Sequence, residues 1–248
     1  MQSFDSDGVE IAFHEEGEGK PILLIHGFAS NHQINWVGPG WFQTLAGAGY
    51  RVIALDNRGH GQSEKLYDPA FYPSRVMAGD ARRLLDHLGI EQAAVVGYSM
   101  GARISAFLSM DAPDRVSKLV FGGLGINMVR GIGGSEKIAQ ALRSETLSEV
   151  EDPGARAFRV FAEQTKSDRE ALATCILASR DPITEADVRS ISHSALVAVG
   201  TKDVVSGDGQ ALVDLLPKGQ FLDITNRDHM TAVGDKTFKA GVLDFLGV

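Results

Sequence analysis

Six short apolar runs recur along the 248 residues: Ile22–Ile25, Val52–Leu55, Ala93–Val96, Leu119–Phe121, Leu196–Val199 and Phe221–Ile224. Several carry Val, Ile and Leu at consecutive positions, so an extended segment would be apolar on both faces. Such strands belong in a mostly parallel sheet covered by helices on either side. The stretches between them supply that cover. Ser74 to Leu88 puts Val76, Leu84, Leu85 and Leu88 on one side and Arg82, Arg83 and Asp86 elsewhere, with Gly89 as its stop. Gly101 to Met110 is small and apolar, as a buried helix is, and Thr231 to Leu246 spaces Val233, Phe238, Val242 and Phe245 at roughly helical intervals. Ahead of the first run, Gln2 to Glu15 alternates apolar and polar residues around Asp7-Gly8, which reads as a hairpin at a sheet edge. Strand and helix alternating in this way predict an α/β fold.

One region breaks the alternation. Residues 125–192 offer no convincing strand, only helical candidates at Ser135–Arg143, Ala155–Lys166, Arg169–Ser179 and Glu185–Arg189. They read as a helical cap inserted between two strands of a core domain made of residues 1–124 and 193–248. Composition excludes some partners. The net charge of −8, with Asp and Glu scattered, argues against nucleic acid or an anionic membrane. The single cysteine, Cys175, allows no internal disulfide, and no Cys/His grouping has zinc spacing. Met1 to Lys20 is polar and acidic, unlike a signal peptide, so a cytoplasmic protein is expected.

The chemistry concentrates in Gly97-Tyr98-Ser99-Met100-Gly101, a G-x-S-x-G segment directly after one apolar run and directly before a helix. A sharp strand-to-helix turn strains the serine backbone and needs small neighbours. It lifts the hydroxyl above the sheet and places free helix N–H groups beneath it. A serine hydroxyl needs a base to take its proton. His229 follows the last run, in Asn226-Arg227-Asp228-His229, and Asp203 follows the run before it, in Gly200-Thr201-Lys202-Asp203. The alternative acid position, Gly122-Gly123-Leu124-Gly125, holds no carboxylate, and Asp228 adjoins the histidine too closely to fold back onto it. Ser99, Asp203 and His229 are therefore the candidate catalytic residues. The backbone N–H groups of Phe28, in His26-Gly27-Phe28, and of Met100 are the candidate oxyanion donors, and the side chains of Phe28, Met100 and Tyr98 the candidate substrate contacts.

Together with Asp56-Asn57-Arg58-Gly59-His60-Gly61-Gln62-Ser63, these segments resemble the α/β-hydrolase superfamily, nearest its small esterase, enol-lactonase and carbon–carbon-bond hydrolase branches. The resemblance covers the chain outside residues 125–192. It implies a mostly parallel eight-stranded sheet with helices on both faces and a cap, a serine-dependent hydrolase, and no metal or organic cofactor. One departure is Ser194-Ala195, where many relatives place a proline entering the strand before the acid. The expected substrate is a small or medium carboxylic ester or lactone, and the expected assembly a monomer or homodimer. Carbon–carbon cleavage of a vinylogous diketone, a cofactor-free perhydrolase activity and a ligand receptor on the same fold are the alternatives. Epoxide hydrolase and dehalogenase chemistry needs a carboxylate nucleophile, and position 99 is serine.

Other residues take quieter readings. His26 braces the oxyanion loop, His60 is structural, and Asp56 and Arg58 shape a hydrogen-bonded turn. Trp36, Trp41 and Phe42 pack in the core, and Cys175 is buried on a cap helix. His14, His32 and His87 show no partner pattern, and His193 is the one backup base.

Overall fold

The computed structural model describes residues 1–248. Eight strands form one sheet: β1 (Gln2–Asp5), β2 (Glu10–Glu16), β3 (Lys20–Ile25), β4 (Tyr50–Leu55), β5 (Ala93–Tyr98), β6 (Val116–Gly122), β7 (Ala195–Gly200) and β8 (Gly219–Ile224). Their spatial order is β1-β2-β4-β3-β5-β6-β7-β8. The edge strand β1 pairs antiparallel with β2, and β2 antiparallel with β4, while every other pair is parallel. The edge hairpin turns on Asp7 and Gly8, both at positive φ, the backbone twist that suits a two-residue hairpin loop.

Ten α-helices accompany the sheet: α1 (Trp41–Gly47), α2 (Ser74–His87), α3 (Met100–Asp111), α4 (Asn127–Arg130), α5 (Ser135–Arg143), α6 (Pro153–Gln164), α7 (Arg169–Ala178), α8 (Glu185–Ser190), α9 (Gly209–Val213) and α10 (Lys236–Leu246). Because side chains alternate along a strand, the apolar runs feed two cores. Leu23, Ile25, Ile53 and Val95 pack with α2 and α3 on one face. Ile22, Leu24, Val52 and Val96 pack on the other with Trp36, Trp41, Phe42 and the α10 residues Phe238 and Val242. The two tryptophans are fully buried and meet edge to face at 5.6 Å.

Between β6 and β7 the chain forms α4 to α8 and a 3₁₀ turn at Leu147–Glu149, with no strand. Helix α6 begins at Pro153, two residues before the expected Ala155, because the Asp152 side chain caps it by accepting the Ala155 N–H. Cys175 is fully buried on α7. The last helix also departs from expectation. Residues 232–234 form a 3₁₀ turn, and α10 starts only after Asp235, whose carboxylate accepts the Thr237 N–H. No helix is long and apolar enough to cross a membrane.

The strand order fixes where a ligand can sit. From β3 the chain moves to one side to form β4, then returns to the other side to form β5. That reversal opens a crevice at the carboxyl ends of β3 and β5. Ile25 is registered opposite Gly97, so residues 27–28 come level with residues 99–100.

Candidate active site

The turn from β5 into α3 holds Ser99 at φ 54° and ψ −111°, a conformation that costs a non-glycine residue about 1–3 kcal/mol. The residues on either side show what maintains it. A Cβ on Gly97 would lie 2.3 Å from the Gly101 carbonyl oxygen, and one on Gly101 would lie 1.9 Å from the Ile25 carbonyl oxygen. Helix α3 thus starts pressed against the end of β3, and only glycine fits at both contacts. The Ser99 N–H donates to Gly122 O at 2.8 Å, which ties the turn to β6.

Two loops from the far end of the chain converge on this hydroxyl. His229 Nε2 lies 3.0 Å from Ser99 Oγ, and His229 Nδ1 lies 2.9 Å from Asp203 Oδ2. The Asp203 side chain is fully buried and that of His229 is 12% exposed. Asp203 Oδ1 accepts the N–H groups of Val205 and Ser206, and the Ser206 hydroxyl donates to Oδ2 at 2.5 Å. Burial pushes the Asp203 carboxyl up, but the His229 ring and the Ser206 hydroxyl and N–H outweigh it and hold the group below the usual carboxylate range. Ser206 is a supporting residue that sequence reasoning missed. The signal was local, since an aspartate followed two and three residues later by free N–H groups is an Asx turn. The Tyr98 hydroxyl donates to the His229 carbonyl at 2.6 Å. Expected to touch substrate, Tyr98 lines the cavity floor, but it uses its polar end to fix the histidine loop.

On the opposite side of Ser99 lies the His26-Gly27-Phe28 loop. The N–H groups of Phe28 and Met100 take no partner among the turn and loop hydrogen bonds. Gly27 N–H donates to Asn35 Oδ1 at 3.2 Å. The His26 ring accepts the Asn57 N–H on Nε2 at 2.9 Å, which leaves Nδ1 to donate to the Gly27 carbonyl at 2.7 Å. Burial lowers the His26 pKa, so the ring is a neutral strut. His60, whose ring centroid is 5.3 Å from that of His26, is pushed down to about 3 by burial first and by His26 second. Its Nδ1 donates to the Arg58 carbonyl at 2.9 Å.

The remaining candidates fall into structural roles. Asp56 accepts the His32 N–H at 2.7 Å, the His32 ring at 2.9 Å and the Gln62 N–H at 2.8 Å. His32, read from sequence as having no partner, therefore has a buried carboxylate partner that only the fold brings to it. Arg58 forms a buried two-point pair with Asp80, at 2.7 and 2.6 Å. His193 meets the Pro113 carbonyl at 2.9 Å, just before the start of β6 and so at the opposite end of the sheet from Ser99. That position removes it as a backup base.

A cavity of about 850 Å³ opens over Ser99. Its walls come from the Phe28 loop, the start of α3, and residues of α4 to α7. Phe28 packs at a tilt against Phe158 of α6, with ring centroids 5.7 Å apart, and Thr165 donates to the Ala29 carbonyl at 3.3 Å, so the helical segment is fastened to the loop. Leu124, Ile138, Phe161 and Ile176 make much of the wall apolar, while Arg103 and Arg180 bring positive charge to it. The volume and mixed lining are those of a small-molecule site.

Comparison with known proteins follows the same outline. Residues 20–150 match the family model described as alpha/beta hydrolase fold. The dihydrolipoyllysine-residue acetyltransferase component of the acetoin cleaving system of Cupriavidus necator is 42% identical over 116 residues, 46% of this chain and 29% of that protein. Epoxide hydrolase B of Mycobacterium tuberculosis is 37% identical over 119 residues, 44% of this chain and 31% of that protein. The alignments thus span only about a third of the length of these curated relatives. The crystal structure of the enol-lactonase from Burkholderia xenovorans LB400 superposes over 100% of both chains with a TM-score of 0.83 at 21% identity, a likeness of fold.

Proposed function

From the premise that this chain belongs to the α/β-hydrolase fold family, we propose that it is a serine hydrolase. It cleaves small or medium carboxylic esters or lactones through an acyl-enzyme on Ser99. The observation that carries this reading is the imidazole of His229 bridging Ser99 Oγ at 3.0 Å and Asp203 Oδ2 at 2.9 Å. Asp203, held as a carboxylate, accepts the hydrogen bond of Nδ1–H and so keeps the proton on that nitrogen, leaving Nε2 as the acceptor that faces the hydroxyl. As Ser99 attacks the carbonyl carbon, Nε2 takes its proton. The N–H groups of Phe28 and Met100 hold the oxyanion. His229 then returns the proton to the leaving alcohol, and a water activated by the same ring releases the acid. The helical segment acts as the cap, closing a partly apolar pocket and excluding bulk water.

The relatives named as epoxide hydrolases do not redirect this reading, because that chemistry needs a carboxylate nucleophile where this chain has Ser99. The test is steady-state hydrolysis of p-nitrophenyl esters of increasing acyl length, run beside lactones and a dienone acid. Multiple turnovers of ester or lactone, abolished by Ser99→Ala, support the proposal. Cleavage of the dienone acid with the esters barely touched would replace it by carbon–carbon hydrolysis. A single slow turnover with movement of the cap would make the protein a receptor.

A further inference from the structure

The charged groups on the cavity wall do not cancel. Lys137 pairs with Asp152 at 3.0 Å, and Arg227 pairs with Asp235 at 2.5 Å. Arg103 and Arg180, on the same wall, pair with no carboxylate. Arg103 is 5% exposed and commits its terminal nitrogens to the backbone carbonyls of Asp181, Asn127 and Met128, at 2.9, 3.3 and 2.8 Å. The Asp181 carboxylate is engaged elsewhere, accepting the Ser74 N–H. Arg180 is largely buried and gives only Nε, to the Ser135 hydroxyl at 3.2 Å. Its two terminal amino groups have no partner in the chain.

Two guanidiniums in one partly apolar cavity repel each other and lose hydration, a cost that an anion between them and the substrate space would offset. Burial, with the charge of Arg180 as second cause, lowers the pKa of Arg103 to about 10. The surplus also runs against the protein's net charge of −8, so it is local in origin. A planar fork with two free donors matches the two oxygens of a carboxylate. Geometry sets where that carboxylate belongs on the substrate. Arg103 lies in the first turn of α3, ~6 Å along the helix axis from the Ser99 that precedes it, and both residues line the cavity. Arg103 donates to the carbonyl of Asp181, the neighbour of Arg180, which brings the two cations to one end of the cavity. Ile138 and Ile176 line the wall with them.

We propose that the cavity is built for an ester or lactone whose acyl chain ends in a carboxylate, with Arg180 binding that carboxylate and Arg103 reinforcing the positive field beside it. The inference rests on the reading of Ser99 as the nucleophile and adds the charge and placement of the far end of the substrate. Monoethyl adipate and ethyl adipamate form the matched probe pair, since a neutral amide replaces the carboxylate with nearly the same shape. Wild type should favour the acid by about tenfold to hundredfold in kcat/KM, the range of a charge-assisted hydrogen-bonded pair. In Arg180→Gln the ratio should fall to about one, and Arg180→Lys should keep part of it. Being internal to each variant, the ratio is insensitive to partial loss of folded protein. Calorimetry of the Ser99→Ala protein with adipate gives a second readout, with binding lost when Arg180→Gln is added.

A wild-type ratio near one, or a ratio unchanged in Arg180→Gln, overturns the anion site even when p-nitrophenyl esters turn over and the hydrolase reading stands. Arg180-dependent binding of adipate with no turnover of any ester sinks the hydrolase reading and leaves the anion site standing.

Discussion

Replacing Gly101 by alanine sets two physical rules against each other at one position. Helix propensity alone favours the change by about 1 kcal/mol, because Gly101 lies within α3. Packing opposes it. The new Cβ would lie 1.9 Å from the Ile25 carbonyl oxygen and 2.8 Å from that of His26. Both obstacles are backbone, so neither can swing aside. Reaching ordinary contact at 3.4 Å requires the start of α3 to retreat from the end of β3 by about 1.5 Å. Overpacking of this kind costs about 1–3 kcal/mol, which exceeds the propensity gain. The same retreat carries Ser99 and Met100 with it, stretching the 3.0 Å contact to His229 and the spacing between the Phe28 and Met100 N–H groups. A misplacement near 1 Å lowers a rate by about a hundredfold. Gly101→Ala should therefore lose up to about 2 kcal/mol of stability in urea unfolding and about a hundredfold in kcat on a p-nitrophenyl ester. Gly79→Ala is the control. It lies within α2, and its nearest obstacle, at 3.1 Å, is the mobile end of Arg83. That variant should gain up to about 1 kcal/mol and keep full activity. A Gly101→Ala protein as stable and as active as wild type would refute the claim that close backbone contact shapes the serine turn.

Three further outcomes follow from the described geometry. Asp203→Asn keeps the volume but lets the ring place its proton on Nε2, so kcat should fall about a thousandfold to ten-thousandfold with little change in fold; a loss under about tenfold would deny Asp203 its role. Lowering pH should destabilise the protein through His26 and His60. In the unfolded chain both rings take protons near the ordinary value of 6.5, while in the fold His60 resists until about 3 and His26 is also shifted down. The unfolded state then binds more protons, so the stabilisation present above 6.5 is lost as pH falls, at about 1.4 kcal/mol per pH unit per histidine in urea titrations; a flat profile between pH 6.5 and 5, or one that His60→Gln leaves as steep, would contradict this. Arg58→Met removes the two-point partner of buried Asp80, leaving it the Ser6 hydroxyl and the more distant Arg83 at 3.7 Å, and should cost about 3 kcal/mol, with KM nearly unchanged in protein that stays folded; a raised KM with stability intact would instead make Arg58 a substrate contact.

What could be read from the chain divides along one physical line. The strands were legible because β3, β4, β5 and β7 are apolar on both faces, a pattern that has few other stable uses. Ser99 was legible because its two glycines flank it in sequence, and the contacts that demand them arise at that same turn. Asp203 and His229 were legible by order alone, since strands that lie side by side in parallel put their following loops at one end of the sheet. Partnerships between distant loops were not legible. Nothing near His32 announces Asp56, and nothing near Tyr98 indicates that its hydroxyl will reach the His229 carbonyl, because those contacts depend on how far each loop travels after leaving its strand. The start of α10 was a different kind of miss. Asp235 followed by Lys236 and Thr237 is a readable cap, outweighed by an apolar rhythm that continues through the 3₁₀ turn at residues 232–234.

Arg180 shows why the distinction matters for function. Its meaning comes from what fails to reach it, and an unpaired guanidinium is defined only once every carboxylate in the chain has a position. The residues that carry out the proposed chemistry could be found along the sequence because each follows a strand of a sheet whose geometry is general. The residue proposed to choose the substrate sits on a segment whose helices pack in a way particular to this chain, between an apolar wall and a second arginine. Reaction and specificity are therefore built from parts of unequal predictability, and the matched acid and amide esters address the less predictable part directly.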